Sequence, residues 1–385
     1  MAMSIFDLPM QNDRETGWRM LRDQGPVALL DGMHFVTTAK GVEEVLQNPD
    51  VYSSATIYHA VMGAPVRMVP LEFDPPDVLR YRRLLAPFFS PGVINRLQDS
   101  LRQQARDLVA AIAVKGSADI VPELAIPYPS QVFLTLMGLP MADQERLLGW
   151  KDAIIGAADP TASGRPPEER VAELVAYLKA VIVERKGKEG DDLLTRVVND
   201  PSPDALNDEE VLGMAYLLIS AGLDTVTSTI ALAFDLLARD PALRQQLAAD
   251  LSLIPNFVEE VVRLNPVACF TPRSTTRDTV LEGVSLPEGT MVSMAFAVAN
   301  RDPAVFADPT VLDLERQGHH FGFGGGVHRC LGSHLARAEL KLVFEEWLTV
   351  IPEFTFQEGA DPQMPWPVGL LTLPSVPLSF PPFTA

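Results

Sequence analysis

The stretch FGFGGGVHRCLGSHLARAEL, Phe321 to Leu340, places a single cysteine, Cys330, behind a glycine-rich loop and directly ahead of a segment with helical spacing. A thiolate that binds a metal needs its negative charge stabilised. The positive end of the following helix, with loop amides aimed at the sulfur, does this. Gly324, Gly325 and Gly326 would let the backbone pass close beneath a flat ring, where a side chain would collide. Taken alone, a lone cysteine is more often a small core residue than a ligand. A glycine run can also cradle phosphate, but no P-loop Lys-Ser/Thr follows and no apolar strand precedes it. The Cys-x-x-Cys-His of covalent c-type haem is absent as well.

Outward from this segment, apolar residues recur at helical spacing through most of the chain, so a mainly α fold is expected. The longest stretch runs from Asn207, in a cap position, to Asp240, with Pro241 as its stop. It is apolar nearly all round and reads as a helix at the centre of the fold. Further helices are expected over Arg14 to Asp23, Asp77 to Phe88, Gly92 to Ala113, Ala142 to Ala157, Pro167 to Lys186, Pro241 to Ala248, Asn256 to Leu264 and Ser333 to Leu348. VALLDGMHFVTT reads as a hairpin about Asp31-Gly32, and TVLEGVSLPEGTMVSM as a second. No linker separates domains, and residues 1–385 read as one.

With 47% hydrophobic and 21% charged residues, the chain is an ordinary globular one. A formal charge of -19 argues against general binding to nucleic acid or an anionic membrane. Met1 to Arg22 carries charges among its apolar residues and reads neither as a signal peptide nor as a membrane span, so a cytoplasmic location is expected. Two cysteines, Cys269 and Cys330, are too few for an iron-sulfur or structural zinc site. A disulfide between them is not expected in a reducing compartment.

Two further motifs stand upstream of the cysteine. In Glu260-Val-Val-Arg263 the spacing of three puts both charges on one helix face, and apolar flanks favour a buried pair. Ala221-Gly222-Leu223-Asp224-Thr225 interrupts the long apolar helix with a glycine and a polar pair, at a cost to helix stability. In isolation that pattern reads as a kink or a satisfied buried threonine.

Together the motifs resemble the cytochrome P450 family. Phe323, Gly326, His328, Cys330 and Gly332 match the signature F-x-x-G-x-[HR]-x-C-x-G position for position. Glu260 and Arg263 match its Glu-x-x-Arg motif, with Arg316 in the place of the third partner. Ala221 to Thr225 match its A-G-x-D/E-T pattern. The resemblance covers nearly the whole chain and is strongest to the bacterial camphor-hydroxylase type, through DPP at Asp74 to Pro76 with Arg82, PYPSQVFLTLMGLP, LDTV and HLAR. It implies a helical bundle with small β-sheets around a buried haem b, with Cys330 as thiolate ligand, Asp224 and Thr225 at the oxygen groove, and Glu260, Arg263 and Arg316 as a structural lock. The haem propionates would be held by Arg82, Arg273, His320 and also His328. Val78 departs from the pattern, because many relatives carry a histidine there. The loop from Arg316 to Phe323 is about a residue short.

The same resemblance puts the substrate pocket across the haem from Cys330. Its walls would be the loop Ser54 to Phe73, Leu217, Ser220 and Ala221, the segment Val267 to Thr271 with Ala268 and Phe270, and the turn at Leu370 and Leu371. Tyr58, His59 and Arg67 are its polar handles, and Cys269 lines or backs it. These walls suit a small hydrophobic substrate oxidised with O2. Nothing in the sequence binds flavin or nicotinamide, so electrons would come from an acidic ferredoxin and its reductase. Arg80, Arg83, Arg102, Arg106, Arg329 and Arg337 are the basic residues expected to dock it. The alternatives are peroxide-driven, coupling or desaturating chemistry on the same haem, a haem-based ligand sensor, and a haem-free helical binding protein.

Overall fold

The structure is a computed structural model and describes residues 3–11, 13–55, 57–58, 64–154, 167–366 and 370–383. The long helix spans Asp208–Arg239 and is buried along most of its length. Asn207 starts it: its side chain accepts from the amides of Glu209 and Glu210, and Glu210 Oε2 accepts from the Asn207 amide at 2.9 Å. This reciprocal cap satisfies donors that would otherwise be orphaned. The helix is long and apolar enough to cross a membrane, but it lies in the protein core.

Around it pack Pro127–Met137, Gln144–Ile154, Pro167–Arg185 and Ile254–Leu264. Pro91–Ala113 lies against Ser333–Val350, the helix that follows the cysteine. Phe234 of the long helix meets Phe344 and Phe354 at tilted angles and Trp347 edge-on, at centroid distances of 5.0, 5.8 and 4.8 Å. Each such ring contributes roughly 1.5–3 kcal/mol through burial. Thr227 Oγ1 donates to Ala125 O at 2.8 Å, so even a polar side chain of this helix is satisfied inside the core.

The expected helices are present with ends shifted by a few residues, and Gln144–Ile154 is described only to Ile154. Asp77–Leu85 ends earlier than expected, because Pro87 lies in a tighter turn of helix over Ala86–Phe89. Among the described residues four α-helices lie outside the expected set: Ala39–Gln47, Pro127–Met137, Leu193–Val198 and the single turn Phe296–Ala299.

The main sheet has the order β1 (Val27–Leu30), β2 (Met33–Val36), β8 (Met291–Ala295), β5 (Phe270–Thr275), β3 (Tyr52–Ser53). The first hairpin turns at Asp31 and Gly32, both with positive φ, and pairs Val27 with Val36. The second is shorter than its sequence suggests. β6 (Thr279–Leu281) and β7 (Val284–Leu286) close about Glu282-Gly283, and β8 leaves them to lie between β2 and β5. A small three-stranded sheet joins β4 (Ser117–Asp119), β10 (Pro377–Ser379) and β9 (Thr355–Phe356).

Candidate active site around Cys330

Cys330 ends the glycine loop. Its amide donates to Phe323 O at 2.8 Å, which folds the loop back on itself. The Gly332 amide hydrogen-bonds the sulfur, and Arg82, Arg337 and Arg329 supply positive charge. Burial pushes the thiol up, and those four groups pull it down. Cys330 is nevertheless exposed on one side, whereas Cys269 is fully buried and its thiol is pushed up to about 12. At Cys330 burial outweighs those four groups, so the thiol stays raised; what sets it apart from Cys269 is its exposure and the positive groups that converge on its sulfur. Gly326 is required by a contact within the protein itself. A Cβ on Gly326 would sit 2.1 Å from Leu46 O, and Gly326 has φ +59°, so the loop needs glycine there to pass the Ala39–Gln47 helix.

Beside the cysteine lies a cationic group. Arg273 is buried on β5; its Nη1 donates to Pro272 O at 2.7 Å and to Tyr58 Oη at 3.4 Å. Arg82 is half-buried and close enough to Cys330 to feel its charge. The His328 ring, 2.9 Å from Ser54 Oγ, is pushed down to about 3 by burial and by Arg273 and Arg82. Among the described residues no carboxylate pairs with either guanidinium, so the three groups together suit an anionic partner. His320 does not join them. Its Nε2 lies 3.1 Å from Glu259 Oε2, and its Nδ1 accepts from the Gly322 amide. The sequence separation gave no sign of this: two residues of turn swing His320 to the side of the loop where Glu259 and Arg337 meet.

Glu260, Arg263 and Arg316 come together in the core. Arg263, 1% exposed, grips both carboxylate oxygens of Glu260, at 2.6 and 2.8 Å. Its remaining donors go to the carbonyls of Asn300, Pro309 and Val311. Arg316 Nε and the Asp313 amide also reach Glu260 Oε2, at 3.2 and 2.9 Å. Every charge is partnered, the condition under which a buried pair persists. The carbonyls it holds belong to the segment leading into the cysteine loop.

On the long helix, Ala221 and Gly222 are exposed and Thr225 is half-buried, although the residues on either side are almost all buried. Thr225 Oγ1 donates to Ala221 O at 2.9 Å, leaving its lone pairs to accept. Asp224 does not turn beside it. Its Oδ1 lies 2.7 Å from Lys151 Nζ, and burial raises its carboxyl while Lys151 pulls it down. Lys151 carried no signal of its own in the sequence beyond its place on the apolar stripe with Leu147 and Trp150.

The expected pocket walls divide. Ala268 is exposed between buried Val267 and Cys269, and Leu370 is half-buried. Leu371 N donates to Val267 O at 2.9 Å, which ties the C-terminal turn to this segment. Leu217 is buried, and Ser220 Oγ is satisfied by Leu217 O. Phe270 instead joins an aromatic cluster with Phe35, Trp18 and Trp366, at 5.0, 6.0 and 6.1 Å. Arg67 bonds Glu72 O and lies 3.9 Å over the Phe73 ring, so it serves its own loop. His59 lies outside the described residues.

The basic cluster expected to dock a partner is largely spoken for. Arg80 pairs with Glu210, Arg83 with Asp204, Arg102 with Glu345 and Glu346, Arg106 with Glu346, and Arg337 with Glu259. Arg329 is exposed, beside the cysteine.

An exposed cysteine among positive groups, an adjoining cationic group short of an anion and an exposed helix face with a threonine fit an iron porphyrin, whose carboxylates and metal need those partners. Comparison with known proteins agrees. The family model described as "Cytochrome P450" matches residues 168–380. The chain is 34% identical over 337 residues to the "Probable cytochrome P450 127A1" of Sinorhizobium fredii, covering 86% of this chain and 80% of that one. It is 35% identical over 306 residues to the "Mycinamicin IV hydroxylase/epoxidase" of Micromonospora griseorubida, covering 78% and 76%. Among solved structures, CYP101J2 superposes with a TM-score of 0.89 at 29% identity, covering 99% of this chain and 97% of that one. A mutant of P450 EryK in complex with erythromycin B superposes at 0.85 and 31%, covering 96% and 97%. The chain belongs to the cytochrome P450 family and is a P450 monooxygenase.

Proposed function

We propose that Cys330 holds haem b through its thiolate, and that the protein inserts one oxygen atom of O2 into a small hydrophobic substrate with electrons from a ferredoxin and its reductase. When bound, such a haem supplies oxygen activation, with the thiolate pushing electron density toward O–O cleavage. The chain's own residues do the rest. The Gly332 amide and the nearby arginines stabilise the sulfur charge. Arg82, Arg273 and His328 would hold the haem carboxylates. Ala221, Gly222 and Ala268 keep the exposed inner face short of side-chain volume, which leaves room for an apolar molecule. Thr225 holds a proton donor at its oxygen, and Asp224 with Lys151 moves protons inward.

The observation that carries this reading is the contrast between the two cysteines, one buried and inert, the other exposed among positive groups. Reduced protein with CO should show the red-shifted Soret band of a thiolate-ligated haem, lost in Cys330→Ser and kept in Cys269→Ser. The reverse result sinks the ligand assignment. Turnover with ferredoxin and reductase, set against turnover with peroxide alone, tests the electron source. Arg329→Glu should raise the ferredoxin Michaelis constant most at low salt.

A further inference from the structure

Arg273 is 4% exposed, yet among the described residues its hydrogen-bond partners are a single carbonyl and a phenol. A guanidinium withdrawn from water to that degree needs an anion, and the haem reading supplies one in a propionate. The neighbouring phenol is placed to share it. Tyr58 Oη accepts from Arg273 Nη1 at 3.4 Å, and the guanidinium carbon lies 5.9 Å from the Tyr58 ring centroid. Because that oxygen is already an acceptor, the hydroxyl hydrogen is free to be donated elsewhere. Among the described residues it has no acceptor. Val78, one helical turn before Arg82, is fully buried and its side chain offers no donor.

We propose that Tyr58 is a haem-carboxylate ligand of this chain: its hydroxyl donates to the propionate that Arg273 neutralises. The inference rests on the haem reading above. It reassigns Tyr58 from substrate handle to cofactor handle. It also ties Tyr58, within the segment expected as one wall of the substrate pocket, to the edge of the cofactor. A hydrogen bond to a charged carboxylate is about twice as strong as one between neutral groups, so the contribution depends on the carboxylate being ionised.

The experiment is the rate of haem transfer from the holoprotein to excess apomyoglobin, for wild type and Tyr58→Phe, with either haem b or its dimethyl ester. Phenylalanine keeps the ring and its packing. With haem b the variant should lose its cofactor about ten-fold faster, while the reduced-CO band and the melting temperature of the haem-free protein stay as in wild type. With the dimethyl ester, which has no carboxylate, the two rates should converge. Equal rates with haem b overturn the proposal. So does a ten-fold ratio that persists with the ester, since the phenol would then act through packing on Arg273. A wild-type protein that takes up neither porphyrin would instead overturn the haem reading itself.

Discussion

Lys151 Nζ on the Gln144–Ile154 helix lies 2.7 Å from Asp224 Oδ1 on the long helix, and both side chains are buried. The pair joins two helices at the residue next to Thr225, and it sets the protonation of Asp224. Burial raises that carboxyl, and the Lys151 charge and hydrogen bond pull it back. Removing the ammonium leaves only the raising influence.

Lys151→Met should therefore make Asp224 a stronger proton holder. A carboxyl whose ordinary value is pushed further up is ionised only at higher pH, so the acid limb of the turnover profile should move upward. The buried charge neutralises itself rather than standing unpaired, which limits the stability loss. Asp224→Asn should slow the whole cycle at every pH. A Lys151→Met profile that overlays wild type would mean that Asp224 carries no proton in turnover.

The Glu260–Arg263 pair is expected to dominate the rigidity of the cysteine loop. Arg263→Ala strips Glu260 of its bidentate partner and frees the carbonyls of Asn300, Pro309 and Val311, at a cost of roughly 3–5 kcal/mol. Arg316→Ala removes one bond of 3.2 Å to the same carboxylate and should cost less. Melting temperature and haem content should fall in that order. A wild-type melting temperature in Arg263→Ala would show that the lock bears no strain.

Much of this was legible beforehand, for physical reasons. The long helix shows its cap at Asn207 and its stop at Pro241, and the hairpin at Asp31-Gly32 needs positive φ where the sequence supplies Asp and Gly. Ala39–Gln47, about two and a half turns long, is hidden by Gly41, a poor helix former inside its first turn. Pro127–Met137 is apolar on nearly every face and opens with two prolines, so no 3.6 period marks it. β8 has the alternation of a strand, but alternation does not name its partner. The same limit hid the ion pairs. Lys151, Glu259 and Glu346 look like solvated charges until folding brings partners from far along the chain.

Glu259 carries a pH signature. Although burial works against it, the Arg337 hydrogen bond and the His320 contact hold its carboxyl down at about 2, from an ordinary 4.5. A carboxyl depressed by folding contributes stability above its unfolded value, and loses it as pH falls toward the folded one. Glu259→Gln should thus be less stable than wild type at neutral pH, and the gap should close between about pH 4.5 and 2. Denaturant melts of both proteins across that window check this. A constant gap would assign the effect to packing.

Thr225 gives the most mechanistic expectation. Its hydroxyl hydrogen is committed to Ala221 O at 2.9 Å, so toward the exposed face it presents lone pairs. An oxygen that can only accept selects a donor: it holds a water or a protonated oxygen species in a fixed direction, and the Asp224–Lys151 pair one residue away can recharge that donor. Alanine removes the acceptor without disturbing the helix, since alanine is the better helix former. Thr225→Ala should fold normally, take up haem and bind substrate as wild type does. It should still consume electrons from its redox partners, because nothing on the thiolate side changes. Without the acceptor no side chain at this position would hold the proton donor in place, and electrons should be lost to hydrogen peroxide instead of entering product. The measurement is product formed and peroxide released per electron pair consumed. Thr225→Ser keeps the oxygen and should keep the coupling, whereas Thr225→Val fills the methyl volume and should behave like alanine. If alanine couples as well as threonine, the proton is held by another group, and a hydroxyl on the substrate itself is the one best placed to replace it.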